Sequence, residues 1–208
     1  MPTTRGSTGA EPPTVKILIA GIGNVFLGDD GFGVEVAARL SVRPLPGDVR
    51  VVDFGIRGLD LVYALLENYD AVIFVDTAPR GERPGTLSVI ETRLSSESQV
   101  TIDAHGMDPV KVLALARELG AMPCPTYVVG CEPLVILSGE EDEDVVVGLS
   151  GPVQGAVGEA VNMVESLVVQ LCTTSNREDE GEIRRAIADG AAATGTPTDD
   201  GVHALGRV

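Results

Sequence analysis

Two adjacent carboxylates, Asp29 and Asp30, stand in a loop framed by Gly28, Gly31 and Gly33, with Asn24 a few residues ahead of them. A third acid, Asp76, closes the apolar run at 71–75. His105 is one of two histidines, the other being His203 near the end of the chain, and it precedes the stretch Gly-Met-Asp-Pro109. Acids and an imidazole of this kind suit proton transfer or a metal ion. Two carboxylates and one imidazole leave positions open on a zinc- or nickel-sized ion, as binding an incoming group or water requires. Each residue also has a plainer use. Asp29 or Asp30 can cap a helix, Asp76 can open an Asx-turn, and His105 can be merely solvated. Its place ahead of a helix would keep the imidazole neutral, the form that binds metal.

These residues need a scaffold that brings distant loops to one edge. Residues 15–20 are a short apolar run of the type buried on both faces of a parallel sheet. Glycines 21 and 23 follow, and then Phe32, Val36, Ala37 and Leu40 fall at helical spacing. Strand, glycine loop and helix make the first half of a βαβ unit. Further strands are expected at 49–53, 71–75 and 126–129, with helices at 59–66 and 110–119. Residues 86–92 read as an antiparallel edge strand. A last helix runs from about 153 to 171, with valines and leucines along one face. The class is α/β: one domain with a twisted, mostly parallel sheet of about five strands, one edge strand antiparallel, flanked by helices on both faces. In such sheets ligands sit beyond the carboxyl ends of the strands, where both the 21–33 loop and Asp76 fall. The loop at 54–58 opens on that edge too, and Gly55 and Gly58 would let a substrate backbone approach closely.

Residues 1–14 read as a disordered arm, 15–171 as the domain and 172–208 as a disordered acidic and polar tail with a nascent helix at 181–188. The formal net charge of −16 argues against nucleic acid and anionic membranes. No apolar run reaches the length of a bilayer span, and the N-terminus lacks the apolar stretch of a signal peptide, so a cytoplasmic protein is expected. Three cysteines without CxxC spacing fit free thiols in a reducing compartment. The acids at 140–144 read as a solvated loop.

Three other chemistries compete. A dinucleotide site fails because Phe26 takes the place of the third glycine and the two acids would repel a pyrophosphate. A phospho-acceptor domain would use Asp76, but its paired acids follow the first strand directly, its fifth strand ends in Lys, and it gives His105 no task. A thiol hydrolase built on Cys131 and His105 lacks positive charge beside the thiol, and Glu132 opposes it.

The segments GIGNVFLGDDGFGVEVAARL, VVDFGIRGLDLVYAL, AVIFVDTA, DAHGMDP and VGCEP followed by LSGPVQGAV resemble, in this order, the hydrogenase maturation endopeptidases. The resemblance runs from about residue 15 to 171. It implies a twisted α/β sheet and a single cut that removes the C-terminal extension of a nickel-iron hydrogenase large-subunit precursor after nickel is loaded. It also implies that Asp30, Asp76 and His105 engage that nickel, which the substrate supplies, with no organic cofactor. Many members carry Glu at the position of Asp30, so this chain presents the carboxylate on a shorter arm. On this reading Asp29 is a candidate base, Asn24, Gly55 and Gly58 contact substrate, and Cys131 packs. Two other classes stay open: a nickel-binding module that does not cut, and the phospho-acceptor domain acting through Asp76.

Overall fold

Ile17, Leu18 and Ile19 are three consecutive residues with no exposed surface, which only a strand covered on both faces allows. In the computed structural model, which describes residues 14–92, 109–137 and 145–192, with side chains for 14–91, 109–137 and 145–174, they lie in β1 (Lys16–Ile22). The other elements are α1 (Phe32–Leu40), β2 (Asp48–Gly55), α2 (Gly58–Leu65), β3 (Ala71–Thr77), β4 (Leu87–Thr92), α3 (Pro109–Glu118), β5 (Thr126–Cys131) and α4 (Gly151–Ala192). The arm at 1–13, the stretches 93–108 and 138–144, and residues 193–208 lie outside the described residues.

The strand order is β2-β1-β3-β5-β4. β1 is parallel to β2 and β3, β3 is parallel to β5, and β4 runs antiparallel to β5 at the edge. Because side chains alternate along a strand, β1 feeds two cores. Ile17 and Ile19 pack with Phe32, Val36 and Leu40 of α1 and with Val157, Val161 and Val164 of α4. Leu18, Ala20 and Ile22 pack on the opposite face with Leu61 and Leu65 of α2 and Leu113 of α3. Each large side chain buried in this way contributes about 1.5–3 kcal/mol of transfer free energy, so both helical layers are held by the same central strand. α1 and α2 therefore cover opposite faces, and the chain reverses its direction of winding between β1 and β3. The crevice beyond the carboxyl ends of those two strands is the topological switch point, where α/β proteins place ligands.

One boundary differs from the sequence reading. The apolar face of α4 stops near Leu171, and the helix was expected to stop with it. The backbone stays helical to Ala192, over a stretch that includes Ala, Glu and Arg, residues of high intrinsic helix preference. The chain divides into one unit ending at Cys172 and a second beginning at Thr173, and the α/β sheet belongs wholly to the first. No helix among the described residues is long and apolar enough to cross a membrane.

Candidate active site at the β1/β3 switch point

Close backbone approach sets this edge. A Cβ on Gly33 would overlap the carbonyl oxygens of Ile22 and Val75, and one on Gly21 would overlap the Gly33 carbonyl and Ala37. The start of α1 therefore lies directly on the ends of β1 and β3. The 3-10 turn Gly28–Gly31 just ahead of it presents Asp29 and Asp30 over those strand ends. Gly23, at φ +126°, has its Cα against the Asp30 carbonyl and donates its N–H to the Gly55 carbonyl at 3.1 Å. The first and second loops are thus tied together.

Asp30 is half-buried. Its Oδ2 accepts the Asn24 N–H at 2.6 Å, and the Thr77 side chain is close enough to favour its charged form. Thr77 follows Asp76 at the end of β3, in register with Gly130 and Cys131 of β5. The Asp30 carboxylate therefore reaches from the β1 loop to the residue next to Asp76. The Asp76 Oδ1 accepts the N–H of Thr77 at 2.7 Å, which fixes its side chain at the strand end. Burial raises the Asp30 pKa, and the hydrogen bonds from Asn24 and Thr77 offset only part of that rise. No Lys or Arg forms an ion pair with Asp30 among the described residues.

This has a consequence for stability. A carboxyl whose folded-state pKa lies above its unfolded value carries a penalty that is absent below about pH 3.9 and fully present once pH exceeds the folded value. Asp30→Asn keeps an oxygen for Asn24 and removes the charge. It is expected to raise the melting temperature at pH 7, by a margin that solvent screening keeps small. Calorimetric scans between pH 7 and pH 4 check this, because the gain should shrink toward the acid end.

Asp29 has a different place from the one expected. Its side chain is wholly buried. Oδ2 accepts the N–H groups of Leu134 and Val135 at 2.8 and 2.9 Å and the Ser150 hydroxyl at 2.9 Å, while Oδ1 accepts the Ser150 N–H at 2.6 Å. Burial pushes its pKa up, but the bonds from Ser150, Val135 and Leu134 together outweigh burial and leave it lowered. The role of base is corrected on this ground. A carboxylate saturated by four donors and shut off from solvent has neither the basicity nor the access to take a proton from water. It also lies at the positive end of α4, which favours its charge.

The other residues singled out are placed as follows. Asn24 is half-buried, its Oδ1 accepts the Phe26 N–H at 3.0 Å, and its own N–H is the donor to Asp30. Gly55 takes φ +53°, and Gly58 is the first residue of α2. His105 lies outside the described residues. Among the described residues no three His, Cys, Asp or Glu side chains gather as a metal site. Cys131 is fully buried, and burial with the nearby charges of Asp29 and Glu132 pushes its thiol up to about 11. This removes the thiol nucleophile. Glu132 uses its carboxylate to accept the N–H groups of Arg80 and Gly81 at 2.7 and 3.2 Å. It thereby fastens the loop that follows Asp76.

One acid at this edge escaped the sequence reading. Asp53 is exposed near the end of β2, in register with Gly21, and Arg57 donates to its carbonyl and to that of Phe54. The signal was the one that marked Asp76, an acid closing an apolar strand. It was missed because glycines 55 and 58 drew the reading to the loop that follows.

The comparisons agree with this architecture. The model of a family described as hydrogenase maturation protease matches residues 34–167. The hydrogenase expression/formation protein HupD of Rhizobium leguminosarum is 32% identical over 155 residues, covering 72% of each chain. Among solved structures, a hydrogenase 2 maturation peptidase from a Thaumarchaeota archaeon is 27% identical with a TM-score of 0.54, covering 74% of this chain and 97% of its own. The Escherichia coli hydrogenase maturating endopeptidase HybD shares the fold, with a TM-score of 0.60 at 24% identity over 75% of this chain and 93% of its own.

Proposed function

The chain belongs to the hydrogenase maturation protease family, and from that premise we propose that this peptidase removes a C-terminal extension from the precursor of a nickel-iron hydrogenase large subunit once nickel is seated there. The observation that supports the reading is that Asp30, from the loop after β1, lies by the side chain of Thr77, the residue that follows Asp76 at the end of β3. Two carboxylate oxygen donors, joined by an imidazole from His105, make a mixed N and O set that suits nickel and leaves positions for the precursor's own ligands. The half-buried Asp30, without an ion-pair partner among the described residues, gains most from an arriving cation. The precursor's nickel supplies that charge and a Lewis acid for the scissile carbonyl.

The remaining groups are assigned to substrate. Asn24 keeps Asp30 oriented and stands at the mouth of the first loop. Gly55 and Gly58 leave space for an approaching backbone. The reaction belongs to the cytoplasm, where Cys124, Cys131 and Cys172 stay as thiols.

The test uses purified protein with nickel-loaded and nickel-free precursor, the product being weighed by mass spectrometry. Only the loaded precursor should be shortened. His105→Ala is expected to slow the cut at least about a hundredfold. Unchanged cutting by that variant removes His105 from the site. A wild-type protein that binds the loaded precursor without shortening it overturns the proposal in favour of a non-cutting nickel module.

A further inference from the structure

Asp29 uses a buried charge on four donors drawn from two distant parts of the chain, and its neighbour in sequence is the acid that the proposed reaction needs. Leu134 and Val135 follow β5, whereas Ser150 stands directly ahead of α4. The same turn is held from a second side. Gly28 donates its N–H to the Val146 carbonyl at 2.7 Å, and Val146 donates to the Phe26 carbonyl at 3.0 Å. Fixed on both sides, the turn leaves Asp30 one direction to face, toward Asn24 and Thr77. We propose that Asp29 is a positioning residue, which clamps the 3-10 turn to residues 134–135 and Ser150 and so holds the Asp30 carboxylate toward Asn24 and Thr77, in the orientation that cleavage requires.

The proposal rests on the function given above, and it explains the doubled acid. The two carboxylates divide the work: Asp29 is shut off from solvent and locked, and Asp30 is left to engage substrate. It also explains why the locking group must be ionised. All four partners donate, so an amide at this position would set its own NH2 against backbone N–H groups, and a hydrogen bond would become a repulsion. Four charge-assisted bonds would then be weakened together. A turn released by even about 1 Å moves Asp30 enough to cost about a hundredfold in rate.

The experiment compares wild type, Asp29→Asn, Ser150→Ala and Val164→Ala on nickel-loaded precursor, at a temperature where circular dichroism shows each protein folded. Asp29→Asn should lower kcat about a hundredfold and leave KM within about threefold, because substrate still docks but meets a misplaced acid. Ser150→Ala loses one donor and keeps the backbone N–H, so kcat should fall by about threefold to tenfold. Val164 is buried in the α4 core away from the site, and its truncation should lower the melting temperature with kcat unchanged. A folded Asp29→Asn with kcat within about twofold of wild type overturns the proposal. So does a Val164→Ala protein that loses as much kcat as Asp29→Asn, since that would make the effect one of general stability. If Asp29→Asn fails to fold, an unchanged kcat in Ser150→Ala overturns it instead. Wild-type protein that does not cut speaks against the assigned reaction and leaves the clamp itself untouched, and the two failures are thereby told apart.

Discussion

Asp76→Asn is expected to leave the protein folded and to lower cleavage of a nickel-loaded precursor by about 10²–10⁴-fold, the range found when a positioned acid or base is removed. The amide keeps an oxygen that can accept the Thr77 N–H, so the end of β3 should hold its shape. What is lost is a negative charge at the switch point. Asp30→Asn should act through the same centre, and groups that work as a unit are strongly non-additive. The double variant is therefore expected to cut no more slowly than the slower of the two single variants. Single-turnover rates with loaded precursor measure this directly. Independent losses that multiply would show that the two acids serve separate steps.

The second large effect lies in the backbone. Gly33→Ala is expected to cost at least about 3 kcal/mol of stability, because its Cβ would overlap two main-chain carbonyls, of Ile22 and Val75, that cannot rotate away. Relief requires α1 to lift off the strand ends, and the turn carrying Asp29 and Asp30 would lift with it. Loss of cleavage should accompany the loss of stability. Gly158→Ala on α4 is the matched comparison. Nothing lies within 4 Å of the added Cβ there, and the helix should gain about 0.5–1 kcal/mol instead. Urea unfolding midpoints of the two variants separate the contributions.

What could be read from the residues follows from the range over which each signal acts. The apolar run of β1 and the spacing of α1 are local patterns, and they lead to a doubly covered parallel sheet, with Asp30 and Asp76 at one edge of it. Residues 86–92 were legible as an antiparallel edge strand, and their partner in the sheet is β5. The task of Asp29 had no local signature. Its donors lie 105, 106 and 121 positions away, and an acid beside another acid looks the same whether it is catalytic or clamped. The extension of α4 past Leu171 was legible only as a nascent helix at 181–188, because periodicity reports a buried face and the signal there is composition rather than spacing.

The strand order also sets a timetable for folding. β4 is made before β5, yet among the described residues its ladder pairs only with β5, and β3 likewise keeps one edge open until residues 126–131 emerge. A chain leaving the ribosome can assemble β2, β1 and β3 early, with an apolar strand edge waiting for its neighbour. Pairing across such sequence distances is slow, and an open edge is a template for the wrong partner. The period before β5 docks is thus when the nascent polypeptide is most exposed to self-association and most in need of a chaperone.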